Sequence, residues 1–198
     1  MDNSSVIEIP AFLEKQIVKT ITFSDEGIKI EKPRSFISPV FIKSEDITAF
    51  RYRVTWTRGY KFVFGRQYLV EIKDSRDNIF KFKLNSVYGI RRKTYYKIWS
   101  DIISALWDHY FKNTFSYYTD LYNIQQPFEI AGVIVKPEGL SWDKNNLFWG
   151  EVALSNYRTY FMIYNAGNPK QNKSCSFAND WNALVLQMLL KHIIKKFK

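Results

Sequence analysis

Twice along the 198 residues, a series of short β-branched and aromatic runs, separated by turn clusters, gives way to one stretch whose apolar residues recur every three to four positions. From Gln16 to Leu84 the period is two. Ile17–Phe23, Ile28–Glu31, Phe36–Ile42, Ile47–Trp56, Phe62–Phe64, Leu69–Ile72 and Ile79–Leu84 are expected strands, with turns at Ser24-Asp25-Glu26-Gly27, Gly59 and Asp74–Asn78. In the last hairpin Phe80, Phe82 and Leu84 alternate with Lys81 and Lys83, so one face is buried and the other wet. Tyr95, Ile98, Trp99, Ile102, Leu106 and Tyr110 then follow helical spacing behind Thr94, a helix expected to end between Lys112 and Tyr118. After a connector at Asn123–Pro127 the order recurs. Gly132–Val135, Leu140–Trp142, Leu147–Leu154, Tyr157–Tyr164 and Ser174–Phe177 are expected strands, and a second helix behind Asn179 carries Trp181, Leu184, Val185, Met188, Leu189, His192 and Ile193 on one face.

Strands spaced this closely leave no room for helical crossovers, so the expected class is α+β, mainly β, with antiparallel pairing and one helix at the end of each half. The halves also align directly. Ile21–Ile28 lies against Val133–Leu140, Ser44-Glu45 against Gly150-Glu151, and Lys83-Leu84-Asn85 against Phe177-Ala178-Asn179, the second copy being the shorter. The expected domains are 1–118, with strands over about 16–84 and a helix over about 94–115, and 119–198, with strands over about 130–177 and a helix over about 180–196. One larger barrel interrupted by a helix satisfies the same rhythm.

With its paired Glu26-Gly27 and Glu138-Gly139 turns, its Gly59 and Gly65 turns and its terminal helices bearing Trp99 and Trp181, the layout resembles the small bacterial pleckstrin-homology-like (PH-like) domains, in tandem over roughly 12–115 and 127–197. The resemblance implies two bent antiparallel sheets or barrels, each capped by a C-terminal helix, and a role in binding rather than catalysis. Lipid-binding members of that family place a basic cluster at the first hairpin turn. Here that turn is the acidic Ser24-Asp25-Glu26-Gly27, and the second copy offers only Lys136.

Charge is the other strong signal. The chain has 29 Lys and Arg against 19 Asp and Glu, a net +10. Residues 51–97 hold thirteen of the basic groups against Glu71, Asp74 and Asp77, and the remainder is balanced. Arg51, Arg53 and Thr55 alternate with Tyr52, Val54 and Trp56, so the arginines are expected to project together from a sheet. Arg51, Arg53, Arg58, Lys61 and Arg66 are the candidate partner-binding residues, facing an acidic protein or peptide. The plainer reading is a solvated face. An anionic membrane is the alternative partner. Single-stranded nucleic acid is a further one, because Tyr52, Trp56, Tyr60, Phe62 and Tyr68 interleave with the arginines, although about half of them must face the core. Lys191, Lys195, Lys196 and Lys198 sit where cations complement a helix C-terminus. An exposed strand edge makes a homodimer an open alternative.

An aromatic content of 18% is too high for a disordered chain. The single thiol, Cys175, excludes an intrachain disulfide, and the acidic start of the sequence lacks a signal peptide's basic and apolar regions, so the expected location is the cytoplasm, with at most peripheral contact with the inner membrane face. No enzyme chemistry is expected. His109 and His192 each lack a ligand-type residue one turn on, Cys175 has no histidine in its sequence context, Glu45 and Asp46 point oppositely if on a strand, and Gly65-Arg66 belongs to a turn. No metal or cofactor is expected.

Overall fold

The computed structural model describes residues 4–14, 16–33 and 38–197. The described residues are mainly β, with four antiparallel sheets, and the chain divides into two compact units, Met1–Phe111 and Lys112–Lys198.

The first unit begins with a strand that the sequence reading passes over, β1 (Ser5–Pro10). Its Ile7 and Ile9 are buried while Val6 and Glu8 are exposed, the alternation of a half-buried strand cut off by proline. It pairs with β2 (Ile17–Ser24), followed by β3 (Gly27–Glu31) and β4 (Val40–Lys43), in a four-stranded meander. The expected run from Phe36 lies partly outside the described residues. A single 3-10 turn at Ser44–Asp46 leads into a second sheet of β5 (Ile47–Arg58), β6 (Val63–Asp74) and β7 (Ile79–Val87). Helix α1 (Arg92–Leu106) packs on β1, β6 and β7. The Trp99 ring meets Tyr52 and Tyr68 with centroids 5.5 and 6.0 Å apart, and its indole N–H donates to the Leu69 carbonyl at 3.2 Å. Phe23, Phe50, Phe82, Ile102 and Phe111 are buried to within 1% of full exclusion, each side chain stabilising the fold by roughly 1.5–3 kcal/mol.

Helical backbone does not stop where the spacing predicts. It passes through a π-turn at Trp107–Phe111 and continues as α2 (Lys112–Asn123), because no glycine or proline interrupts it before Pro127. The Tyr118 ring contacts Phe128 at 4.9 Å and Tyr122 contacts Trp149 at 5.6 Å, both within the second unit.

That unit repeats the order of the first: β8 (Phe128–Ile130), β9 (Val133–Lys136), β10 (Gly139–Trp142) and β11 (Asn145–Phe148) in one sheet, then a 3-10 turn at Trp149–Glu151. A second sheet follows, of β12 (Val152–Asn156), β13 (Tyr160–Asn165) and β14 (Asn172–Ser176), and then α3 (Ala183–Ile194). The expected strand Leu147–Leu154 is therefore two strands around a corner. Helix α3 is buried on most of its surface rather than on one face, and two residues assigned to that face, Met188 and His192, are exposed.

Corresponding hydrogen bonds tie the two units internally. In the first, the Ser44 N–H donates to the Glu26 carbonyl and the Ser75 N–H to the Asp46 carbonyl (2.9 and 2.8 Å); in the second, Trp149 donates to Glu138 and Ala166 to Glu151 (3.2 and 2.8 Å). The Asp74 carboxylate accepts from the N–H groups of Arg76 and Asn78, as the Asn165 side-chain oxygen does from Gly167 and Asn168. Each terminal helix follows a left-handed non-glycine residue, Arg91 (φ 58°) or Asn182 (φ 59°). Ser44 thus corresponds to Trp149, one residue from the alignment read in the sequence. Gly27 and Gly139 also correspond, and a Cβ on either would strike the carbonyl oxygen of Ile42 or Leu147.

Candidate anion-binding surface

Strand register decides which basic groups share a face. Across β5, β6 and β7, Arg51 stands beside Glu71 and Lys81, Arg53 beside Leu69 and Lys83, and Thr55 beside Gln67 and Asn85. The intervening rows, Tyr52–Val70–Phe82 and Val54–Tyr68–Leu84, face the core and α1. Arg51, Arg53, Lys81 and Lys83 therefore form two adjacent rows on the outer face of the sheet.

Arg51 is not a free cation. Its Nε donates to Glu71 Oε2 at 2.7 Å, and Lys81 Nζ lies 3.1 Å from Oε1 of the same carboxylate, which is buried. Burial pushes the Glu71 carboxyl up, but the hydrogen bonds and charges of Arg51 and Lys81 outweigh it and hold the group below the usual carboxylate range. Arg51 is thereby assigned to the sheet itself. Arg53 and Lys83, both exposed, make no ion pair among the described residues.

Arg66 separates from the other candidates. It pairs across the ladder with Trp56 and Ser86, hence on the opposite face from Arg53, and its guanidinium lies 5.9 Å from the Trp56 ring centre. There it lines a shallow cavity of about 160 Å³ with Phe64, Ser86, Gly89 and Arg92. The five candidates are thus divided among three places: Arg51 and Arg53 on the outer face, Arg66 on the other, and Arg58 with Lys61 at the end of the hairpin.

That end is the most exposed part of the sheet. β5 and β6 are each twelve residues long, and the Gly59 N–H donates to the Phe62 carbonyl (2.8 Å) to close the turn between them. Tyr60 is 99% exposed, Phe62 62% and Val63 48%, with Arg58 and Lys61 exposed among them. Phe62, Phe64 and Tyr88 form a chain of rings with successive centroids 6.2 and 6.0 Å apart, and the Tyr88 N–H bonds the Phe64 carbonyl at 2.7 Å. From Tyr52 to Val70 the sequence has no acidic residue. The contribution of Lys81, Lys83, Tyr88 and Arg92 depends on register and on the return of the chain after β7. In the sequence Lys81, Lys83 and Arg92 belong to the basic segment 51–97, and only the alternation of Lys81 and Lys83 assigns them a face.

The other singled-out residues lie outside this surface. The His109 side chain is buried in the π-turn, its Nε2 3.1 Å from Ser5 Oγ, while Nδ1 has no hydrogen-bond partner among the described residues and lies 3.6 Å from Asp25 Oδ1. Burial, first of all, pushes the Cys175 thiol up to about 12, far from a reactive thiolate. His192 packs against the Phe115 ring edge. Glu45 and Asp46 lie in the 3-10 turn, not on a strand, and Asp46 accepts from Ser75 Oγ at 2.8 Å. Lys196 Nζ lies 5.6 Å from the Tyr122 ring centre, and Lys198 is outside the described residues. Among the described residues no three His, Cys, Asp or Glu side chains converge as a metal site, and no helix is long and apolar enough to cross a membrane. No family model matches the chain, and no curated protein or solved structure matches it either.

Proposed function

We propose that the chain is a tandem of two PH-like units that works by binding rather than catalysis, and that the first unit docks on an anionic bilayer surface through its β5–β6 hairpin. Four antiparallel strands, a corner turn, three antiparallel strands and a helix, in that order in both units, support the PH-like reading. The observation that carries the docking is the composition of the hairpin end. Tyr60, Phe62 and Val63 stand exposed with Arg58 and Lys61, and no carboxylate is near in sequence. Aromatic rings at the headgroup boundary gain from burial, while the flanking cations stay in the headgroup layer and contribute about 1 kcal/mol each near an anionic surface.

This site differs from the first hairpin turn used by lipid-binding members of the resembled family, which here is acidic. Co-sedimentation of the full chain with phosphatidylcholine vesicles, with and without phosphatidylglycerol, tests the docking. Binding should require the anionic lipid, weaken with salt, and fall about tenfold or more in a Tyr60→Ser, Phe62→Ser variant, the equivalent of about 1.4 kcal/mol. No binding to anionic vesicles at low salt would sink the proposal.

The outer sheet face supports a second reading, recognition of an acidic protein. Arg53 and Lys83 flank buried Leu69 with no acid to neutralise them in that row. Arg53→Glu with Lys83→Glu should then abolish capture of an acidic partner in a pull-down and leave vesicle binding intact.

A further inference from the structure

An open groove of about 450 Å³ lies in the second unit among α2, α3 and β12. Phe115, Leu154, Met188 and Ile194 supply its apolar lining, and Lys191, His192 and Lys195 supply the polar groups. Met188, Lys191, His192 and Lys195 recur at helical spacing, so they form one stripe of α3, beside faces that are buried at Val185, Leu186, Leu189 and Ile193. The groove is held in shape from within. Gln187, almost fully buried, donates from its amide to Asn156 Oδ1 at 2.7 Å and pins α3 to the end of β12, two residues from Leu154.

Its charge is one-sided. None of the lining residues is acidic, and neither the Lys191 nor the Lys195 side chain makes an ion pair or hydrogen bond among the described residues. An uncharged apolar ligand would leave both ammonium groups without a counter-ion. A compact anion such as phosphate would leave the floor of Phe115, Leu154 and Met188 wet. One molecule meets both demands, an alkyl chain ending in an anion, and the volume lies in the range of about 300–1,000 Å³ typical of small-molecule sites. Met188 suits such an occupant, since its unbranched thioether adapts to a flexible chain. We propose that this groove binds a single-chain carboxylate, with the alkyl chain over Phe115, Leu154 and Met188 and the head between Lys191 and Lys195.

The proposal is independent of the hairpin. Displacement of a fluorescent long-chain carboxylate from the full-length protein by dodecanoate, dodecanol and inorganic phosphate tests it. Dodecanoate should displace the probe, dodecanol should be about tenfold weaker or worse, and phosphate should have no effect. Lys191→Glu with Lys195→Glu should remove the preference for dodecanoate over dodecanol, and Met188→Trp, which fills the groove from an exposed position, should weaken both. Unchanged thermal unfolding of these surface variants establishes that they fold, and the Tyr60→Ser, Phe62→Ser variant should bind dodecanoate as the parent does. Equal affinity for dodecanoate and dodecanol, or parental binding by both groove variants, would overturn the assignment.

Discussion

The second sheets of the two units share their base and differ in their reach. At the base, Ser75 bonds Asp46 as Ala166 bonds Glu151, and an Asp or Asn side chain closes the adjoining turn. From that base β5 and β6 run for twelve residues each, whereas β12 and β13 run for five and six. The short hairpin also closes on itself, with the Tyr157 and Tyr160 rings stacked at 4.5 Å and 15°. The long one leaves Tyr60 and Phe62 exposed. The part of the extension nearest the base packs on α1 through Tyr52 and Tyr68, so it is the exposed end, Arg58 to Val63, whose composition is free to serve a partner. It also lies in the segment that carries the chain's net charge.

Replacing the corresponding glycines is the harshest test of a shared frame. Gly27→Val and Gly139→Val each drive a side chain into a backbone carbonyl, and each should cost about 3 kcal/mol or more in urea unfolding. If one were tolerated, the two corners would not be equivalent. A smaller asymmetry is expected at Phe82 and Cys175, which face Val70 and Phe161 in matching register. Phe82→Ala should cost roughly 3–5 kcal/mol, and Cys175→Ala much less because far fewer buried atoms are lost.

The charged row separates the units next. Glu71→Gln should destabilise the first unit by about 1–3 kcal/mol, since Arg51 and Lys81 lose their shared carboxylate. Because the folded carboxyl is held below its unfolded value, the unfolded chain takes up the proton first as pH falls. This part of the stability is present above the ordinary carboxylate range and lost as pH drops through the folded value, so the variant should show a flatter acid limb in unfolding followed from neutral to acid pH. The smallest stability effect belongs to the hairpin end. Exchanging residues 58–63 for a two-residue Asn-Gly turn should move stability by about 0.5 kcal/mol or less while removing vesicle binding. A large loss of stability would make the extension part of the frame after all.

Much of the frame was legible because the period changes from two to nearly four at Tyr95 and because Glu26-Gly27 and Glu138-Gly139 mark corresponding turns. Leu147–Leu154 misled, since a corner turn at Trp149–Glu151 leaves the run apolar on both sides. The helix through Asn123 was cut short because the polar residues Lys112, Asn113, Thr114 and Ser116 mask the half-buried rings of Phe115 and Tyr118. For the candidate surface, composition located the charge, but faces follow from register, and register is set by turns and bulges such as the one between Thr57 and Arg58. Arg66 fell on the far face for that reason. Arg51 could not be assigned to an internal ion pair until Glu71 was known to stand opposite it.

The buried Cys175, raised to about 12 and alone of its kind in the sequence, leaves the molecule chemically silent toward thiol reagents in its folded state. A cysteine introduced at Lys61 would therefore be the sole labelling position on the native protein, and a fluorophore or spin label there would report directly on the polarity met by the hairpin end.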